Sequence, residues 1–221
     1  MQVHGFDDQA ALAEQLLGTL GPSGTDGSHD HSHLLRVWQN ARRIAADEPA
    51  CDRAILAAAV ILHDCVAVEK NSPDRPRASR LAAERARQIL THLGWPADRT
   101  ERVAHAIEAH SFSAGIPPET IEARILQDAD RLEAIGAIGI ARCFYVAGRM
   151  GSSLYSTHDP AAAARALNDQ AFALDHFGAK LFKVVDNFQT GTGRRLAAER
   201  GRTMQGFYQA FLAEIGEEEQ A

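Results

Sequence analysis

Histidine and aspartate recur in this chain where helical segments begin or end. The stretch Ile61-Leu62-His63-Asp64-Cys65 closes an apolar run that starts at Ala54. Burying both polar side chains there costs several kcal/mol unless something compensates. A divalent ion compensates well, because imidazole and carboxylate both ligate it. The plainer alternative is a helix C-terminus at which His63 caps carbonyls and Asp64 opens a turn. Upstream, His29-Asp30-His31-Ser32-His33 leads straight into a helical segment. His33 and Val37 are four apart, so His33 shares the apolar face, with Arg36 close to it. Taken alone, the tract also suits a solvated histidine run. Downstream, Asp128 and Asp130 are two apart, about 200° on an ideal helix, so only one can face a given ion. Two solvated acids beside Arg131 would look the same. His105 and His110 are five apart, about 140° on a helix, which is poor for shared ligation. His110 stands at a helix end beside Ser111-Phe112-Ser113 and is the better pocket residue; His105 suits the core or the surface.

These residues need scaffolding, and the patterning supplies helices. Asp7 to Leu20 is amphipathic, with Leu12, Leu16, Leu17 and Leu20 on one side. Residues 21–28 have loop composition. The segment through Ala46 keeps a helical stripe of Leu34, Val37, Ala41 and Ile44. Cys51 to Asp64 is the most apolar helix and should be central. Residues 66–76 are polar and hold two prolines, which makes them a loop. Arg77 to Leu93 and Thr100 to His110 are helical, and Pro117-Pro118-Glu119 starts the next helix. Ala137 to Met150 reads as a packed helix and Gly148 to Pro160 as a loop. Asn168 to Phe188 is expected to be helical, with Lys180 and Lys183 on a solvated face. Thr192 to Ile215 closes the chain. There is no internal repeat and no alternating strand pattern, so the expected class is all-α, a single-domain helical bundle over residues 1–221.

The 221 residues, 45% hydrophobic and 24% charged, fit one sizeable globular domain. A net charge of −6 argues against nucleic acid as a partner. No apolar stretch is long enough to span a membrane. Met1–Gly5 lacks the features of a signal peptide. Cys51, Cys65 and Cys143 form no CxxC pair and read as reduced thiols, so the expected location is cytoplasmic.

The ordered set His33 … His63-Asp64 … Asp130 resembles the HD-domain metal-dependent phosphohydrolase superfamily. His29-Asp30-x-x-His33-x-x-Arg36-Val37 is similar to the first motif of a bacterial subgroup. Lys70-Asn71, Arg77-Ala78-Ser79, Ala109-His110-Ser111-Phe112-Ser113, Gln127-Asp128-Ala129-Asp130-Arg131-Leu132 and Leu174-Asp175-His176-Phe177 with Lys180-Leu181 also look like that subgroup. The likeness runs from about Asp7 to about Ile215.

The resemblance implies an HD-type helical domain. Its metal core would lie at about 29–135, with the C-terminal helices of 137–215 completing the pocket. Four metal ligands follow, His33, His63, Asp64 and Asp130, with Asp130 taken over Asp128. The ion would be Mn²⁺, with Ni²⁺, Co²⁺, Fe²⁺ or Mg²⁺ as alternatives. The reaction implied converts a (deoxy)nucleoside triphosphate to monophosphate and pyrophosphate. Asp64 and His110 would be catalytic, with His110 the best candidate for the general acid. A triphosphate needs cationic contacts, for which Arg36, Lys70, Arg77 and Lys180 are the candidates. His29, Asp30 and Asp128 would orient the ligands. A nucleoside monophosphate phosphatase and a non-catalytic nucleotide sensor are the competing readings, and a homodimer is compatible with all three.

Overall fold

The structure, a computed structural model, describes residues 5–20, 31–66, 68, 77–111 and 114–216. These residues form helices, turns and irregular segments; among them there is no strand, only an isolated parallel bridge between Ser153 and Phe172. The class is all-α. Two compact units divide the chain, Met1–Asp130 and Arg131–Ala221. No described helix is long and apolar enough to cross a membrane.

The first unit holds α1 (Ala10–Thr19), α2 (His31–Ala45), α3 (Arg53–Leu62), α4 (Ala78–His92), α5 (Ala97–His110) and α6 (Ile121–Arg131), the last ending at the unit boundary. Helix α3 is the axis of this unit. Every residue from Ile55 to Leu62 is buried, as expected of a helix that is apolar all round. It packs against α1, α2, α4 and α5. Asp52 starts it, its carboxylate accepting the Ala54 and Ile55 amides at 3.0 and 3.1 Å, the usual N-cap arrangement. Phe6 and Trp38, both fully buried, stack 5.3 Å apart beside this core. Gly94 turns the chain from α4 into α5 at φ +77°, a conformation in which a side chain is strained.

Helices α3, α5 and α6 meet at their starts. Arg99 of α5 makes two bonds to the Asp52 carboxylate, 2.9 and 3.0 Å. Arg102, one turn on, reaches Glu122 of α6 at 2.8 Å. The same Glu122 oxygen accepts the Asp52 backbone N–H at 2.8 Å. Glu122 is fully buried, so this clamp neutralises a charge that would otherwise be costly.

The second unit contains α7 (Gly136–Met150), a π-helical turn at Phe177–Leu181 running into α8 (Phe182–Val184), and α9 (Gly191–Glu214). Phe177, fully buried, is the centre of an aromatic cluster: it stacks on Phe207 at 5.8 Å and meets Phe144, Phe182 and Tyr208.

Two boundaries and the packing of one helix differ from the sequence expectation. The helix expected from Asn168 begins only just before Phe177. Ahead of it, the Asp175 carboxylate takes the Asn168 N–H at 2.7 Å and pairs with Arg165, while the Asn168 side chain takes the Ala171 N–H at 3.2 Å. Such side-chain bonds outcompete the helical ladder. Helix α6 begins at Ile121 rather than at the prolines, because Thr120 Oγ1 accepts the Ala123 N–H and acts as its cap. Helix α7 is not packed on all sides: Phe144 turns into the aromatic cluster, but Ile138 and Tyr145 are exposed.

Candidate metal centre

The candidate site lies at the other end of the same three helices. His63 follows the last residue of α3, His110 closes α5, and Asp130 is in the final turn of α6. The last carbonyls of a helix have no helical partner and carry the negative end of its dipole. Three such ends favour a cation. Helix α2 contributes from near its start, through His33.

The distances are short. His33 Nε2 lies 3.4 Å from His63 Nε2 and 3.6 Å from Asp130 Oδ1. His63 Nε2 lies 3.4 Å from Asp64 Oδ2, and His110 Nε2 lies 4.0 Å from Asp64 Oδ1. Donor atoms of His33, His63 and Asp64 all fall within 4.8 Å of one another. Two ligands of one ion, each about 2.0 to 2.2 Å from it, stand at most about 4.4 Å apart. The separations of 3.4 Å for His33–His63 and His63–Asp64 and 3.6 Å for His33–Asp130 suit a single ion, and the donor chemistry, imidazole with carboxylate, suits a first-row divalent cation.

The imidazoles are oriented by their own backbones. His63 donates Nδ1–H to the Val60 carbonyl at 2.7 Å. His110 does the same to Ile107 at 2.6 Å. Each bond satisfies a carbonyl at a helix end and turns the Nε2 lone pair toward the cluster, the tautomer that metal ligation requires.

Electrostatics point the same way. Burial works against a proton on His63, but the carboxylates of Asp64 and Asp130 and the Val60 carbonyl outweigh it and hold its pKa above the ordinary histidine value. Surroundings that retain a proton on a buried imidazole are suited to a metal cation. Burial dominates at His110 and, with His63 alongside, lowers its pKa. Burial raises Asp130, yet His63, His33 and His110 together bring it below the usual carboxylate range. Cys65, next to the pair, has its thiol pushed up to about 11 by burial, which rules against a thiolate nucleophile.

The structure thus brings together five of the residues singled out in the sequence: His33, His63, Asp64, Asp130 and His110. Asp128 is fully buried, two positions before Asp130 on α6. Arg36 sits one turn beyond His33 and bonds Ser32 Oγ at 2.8 Å. Arg77 is exposed immediately before α4. Lys180 is exposed in the π turn of the second unit. His29, Asp30 and Lys70 lie outside the described residues. His105 is no part of the cluster; its Nε2 accepts the Glu119 N–H at 3.0 Å.

Two residues escaped the sequence reading. Buried Asn40 donates its side-chain amide to the Ala129 carbonyl at 3.2 Å. Buried Gln127 donates to the Ala109 carbonyl at 2.6 Å. The first carried a usable signal: Asn40 is seven residues from His33, two turns along the same face, a polar group on an apolar stripe.

Residues 31–135 match the family described as HD domain. The chain belongs to the HD-domain family. A curated relative, the uncharacterized protein YpgQ of Bacillus subtilis, is 34% identical over 209 residues, 92% of this chain and 93% of the relative. Its crystal structure in complex with ADP has a TM-score of 0.70 at 32% identity, over 92% of this chain and 98% of that one. An HD-superfamily hydrolase from Bacillus thuringiensis has a TM-score of 0.69 at 27% identity, over 99% of this chain and 100% of that one.

Proposed function

We propose that this HD-domain protein is a metal-dependent phosphohydrolase that converts (deoxy)nucleoside triphosphates to the monophosphate and pyrophosphate. The observation that carries the reading is the meeting of His33, His63 and Asp64, with Asp130 at 3.6 Å from His33. The Bacillus thuringiensis relative is an HD-superfamily hydrolase, which supports hydrolysis, and YpgQ was crystallised with ADP, which supports a nucleotide as ligand.

In this reading His33, His63, Asp64 and Asp130 hold the ion, Mn²⁺ in preference to its neighbours. When bound, a divalent ion polarises a phosphoryl oxygen and lowers the pKa of water. The chain's own groups do the rest. With its pKa lowered and Nδ1–H committed to Ile107, His110 presents a lone pair at Nε2. That lone pair can accept a proton from the attacking water, a role as base beside that of the general acid expected from sequence. The water oxygen bonds to the α-phosphorus, and the bond to the bridging oxygen breaks with its electron pair on pyrophosphate. Arg36 and Arg77 offset the charge of the triphosphate and of the leaving group. Asp128, His29 and Asp30 orient the ligands.

Product identity tests the proposal. Metal-free protein is incubated with Mn²⁺ and a panel of nucleoside triphosphates and monophosphates. Release of pyrophosphate with the matching monophosphate is expected. Orthophosphate released from monophosphates instead would make it a monophosphatase, and no turnover with any nucleotide would leave a binding module.

A further inference from the structure

Helix α6 is tied into the first unit at its far end by Glu122 and at its site end by two side-chain amides. Asn40, on α2, donates to the Ala129 carbonyl, the residue before Asp130. Gln127, on α6 itself, donates to the Ala109 carbonyl, the residue before His110 on α5. Both acceptors belong to the last turn of their helix, where carbonyls lack helical donors. The final turn of α6 is therefore held on both sides, once by a donor it receives and once by a donor it sends.

Gln127 gains little from this arrangement as a core residue. Its Oε1 is buried with no hydrogen-bond partner among the described residues. A methionine of similar length would fill the space and exchange one orphaned acceptor, Oε1, for another, the Ala109 carbonyl. The amide earns its place through its donor end alone, which fixes the spacing between the ends of α5 and α6. Asn40, on α2 with His33, holds the same end of α6 against α2, where Asp130 Oδ1 stands 3.6 Å from His33 Nε2.

We propose that Asn40 and Gln127 are positioning residues for Asp130, holding its carboxylate at the cation site through the Ala129 and Ala109 carbonyls. This rests on the reading of His33, His63, Asp64 and Asp130 as metal ligands. A carboxylate presented at the wrong angle binds an ion weakly even when the protein is folded. Outer partners of metal ligands are worth about 10- to 100-fold in metal affinity.

The test uses metal-free full-length protein and Mn²⁺ alone. Asn40→Leu and Gln127→Met keep approximate volume and remove the donor. Calorimetric titration with Mn²⁺ is expected to show affinity reduced about 10- to 100-fold in each, with the Mn²⁺ EPR spectrum altered. The thermal midpoint of metal-free Gln127→Met should stay near that of the parent, because the loss of the orphaned Oε1 offsets the unpairing of the Ala109 carbonyl. If Asn40→Leu does not fold, Asn40→Asp decides: it keeps the shape and cannot donate when ionised. Parental Mn²⁺ affinity in the folded variants overturns the positioning role while leaving the metal centre intact. A parent protein that takes up no Mn²⁺ overturns the metal reading itself.

Discussion

Helices α3, α5 and α6 run in the same sense and are joined at both ends, but by different chemistry. At their starts, Asp52 and Glu122 meet the guanidinium groups of Arg99 and Arg102. These cations are part of the chain, and their planar guanidinium groups suit pairing with carboxylates. At their ends, Asp64 and Asp130 meet the imidazoles of His63, His110 and His33. An imidazole can exchange a proton for a metal. The same carboxylate thus serves cohesion where its cation is built in, and can serve chemistry where its cation is exchangeable.

The sharpest way to break this contrast is Asp64→Ala. Activity should fall about 10³-fold or more, because an ion that contributes several kcal/mol to the transition state is lost or misplaced. Mn²⁺ uptake should fall with it, while the metal-free variant unfolds within a few degrees of the parent. Turnover near the parental rate would remove Asp64 from the site.

Arg102→Ala attacks the opposite end. Breaking a wholly buried pair costs about 3 to 5 kcal/mol. Arg102 is 39% exposed and solvent screens part of its charge, so we expect about 2 to 3 kcal/mol, read from denaturant unfolding. Mn²⁺ affinity should stay within about twofold of the parent, since the substitution lies at the end of α5 and α6 remote from the ligands. A large loss of metal binding at unchanged stability would show that the two ends are not separable.

The smallest effect is a matter of pH. In metal-free protein, His63 is held above the ordinary 6.5 and His110 below it. Protonated His63 adds stability below its unfolded pKa, and that share is lost as pH rises through its folded pKa. His110 has the opposite sign: its share is present above the unfolded value and is lost as pH falls. An NMR titration should find the two imidazoles, whose centroids are 5.1 Å apart, titrating on opposite sides of that value. A common midpoint would remove the distinction between ligand and base.

Helical periodicity exposed most of the first unit, since α3 is apolar on every face and α2 and α4 carry regular stripes. It failed at Asn168–Phe188, where apolar spacing alone suggested a helix. Local bonds from Asn168 and Asp175 decided otherwise, and their partners cannot be read from spacing. The candidate site was legible as types and order. A capping role for His63 was an open alternative in the sequence; the structure shows that its imidazole and that of His110 each cap a carbonyl and face the cluster at once.

By itself, the sequence determined the elements that carry His33, His63, Asp64, His110 and Asp130, because helix formation and burial of an apolar face are local properties of the pattern. It also limited Asp128 and Asp130 to opposite faces, since residues two apart on a helix diverge. Only the tertiary structure decided that the ends of α3, α5 and α6 coincide. That depends on the Asp52, Arg99, Arg102 and Glu122 clamp and on the amides of Asn40 and Gln127. Hydrogen bonds between residues 70 and 89 positions apart have no local signature, so no pattern in the chain announces them.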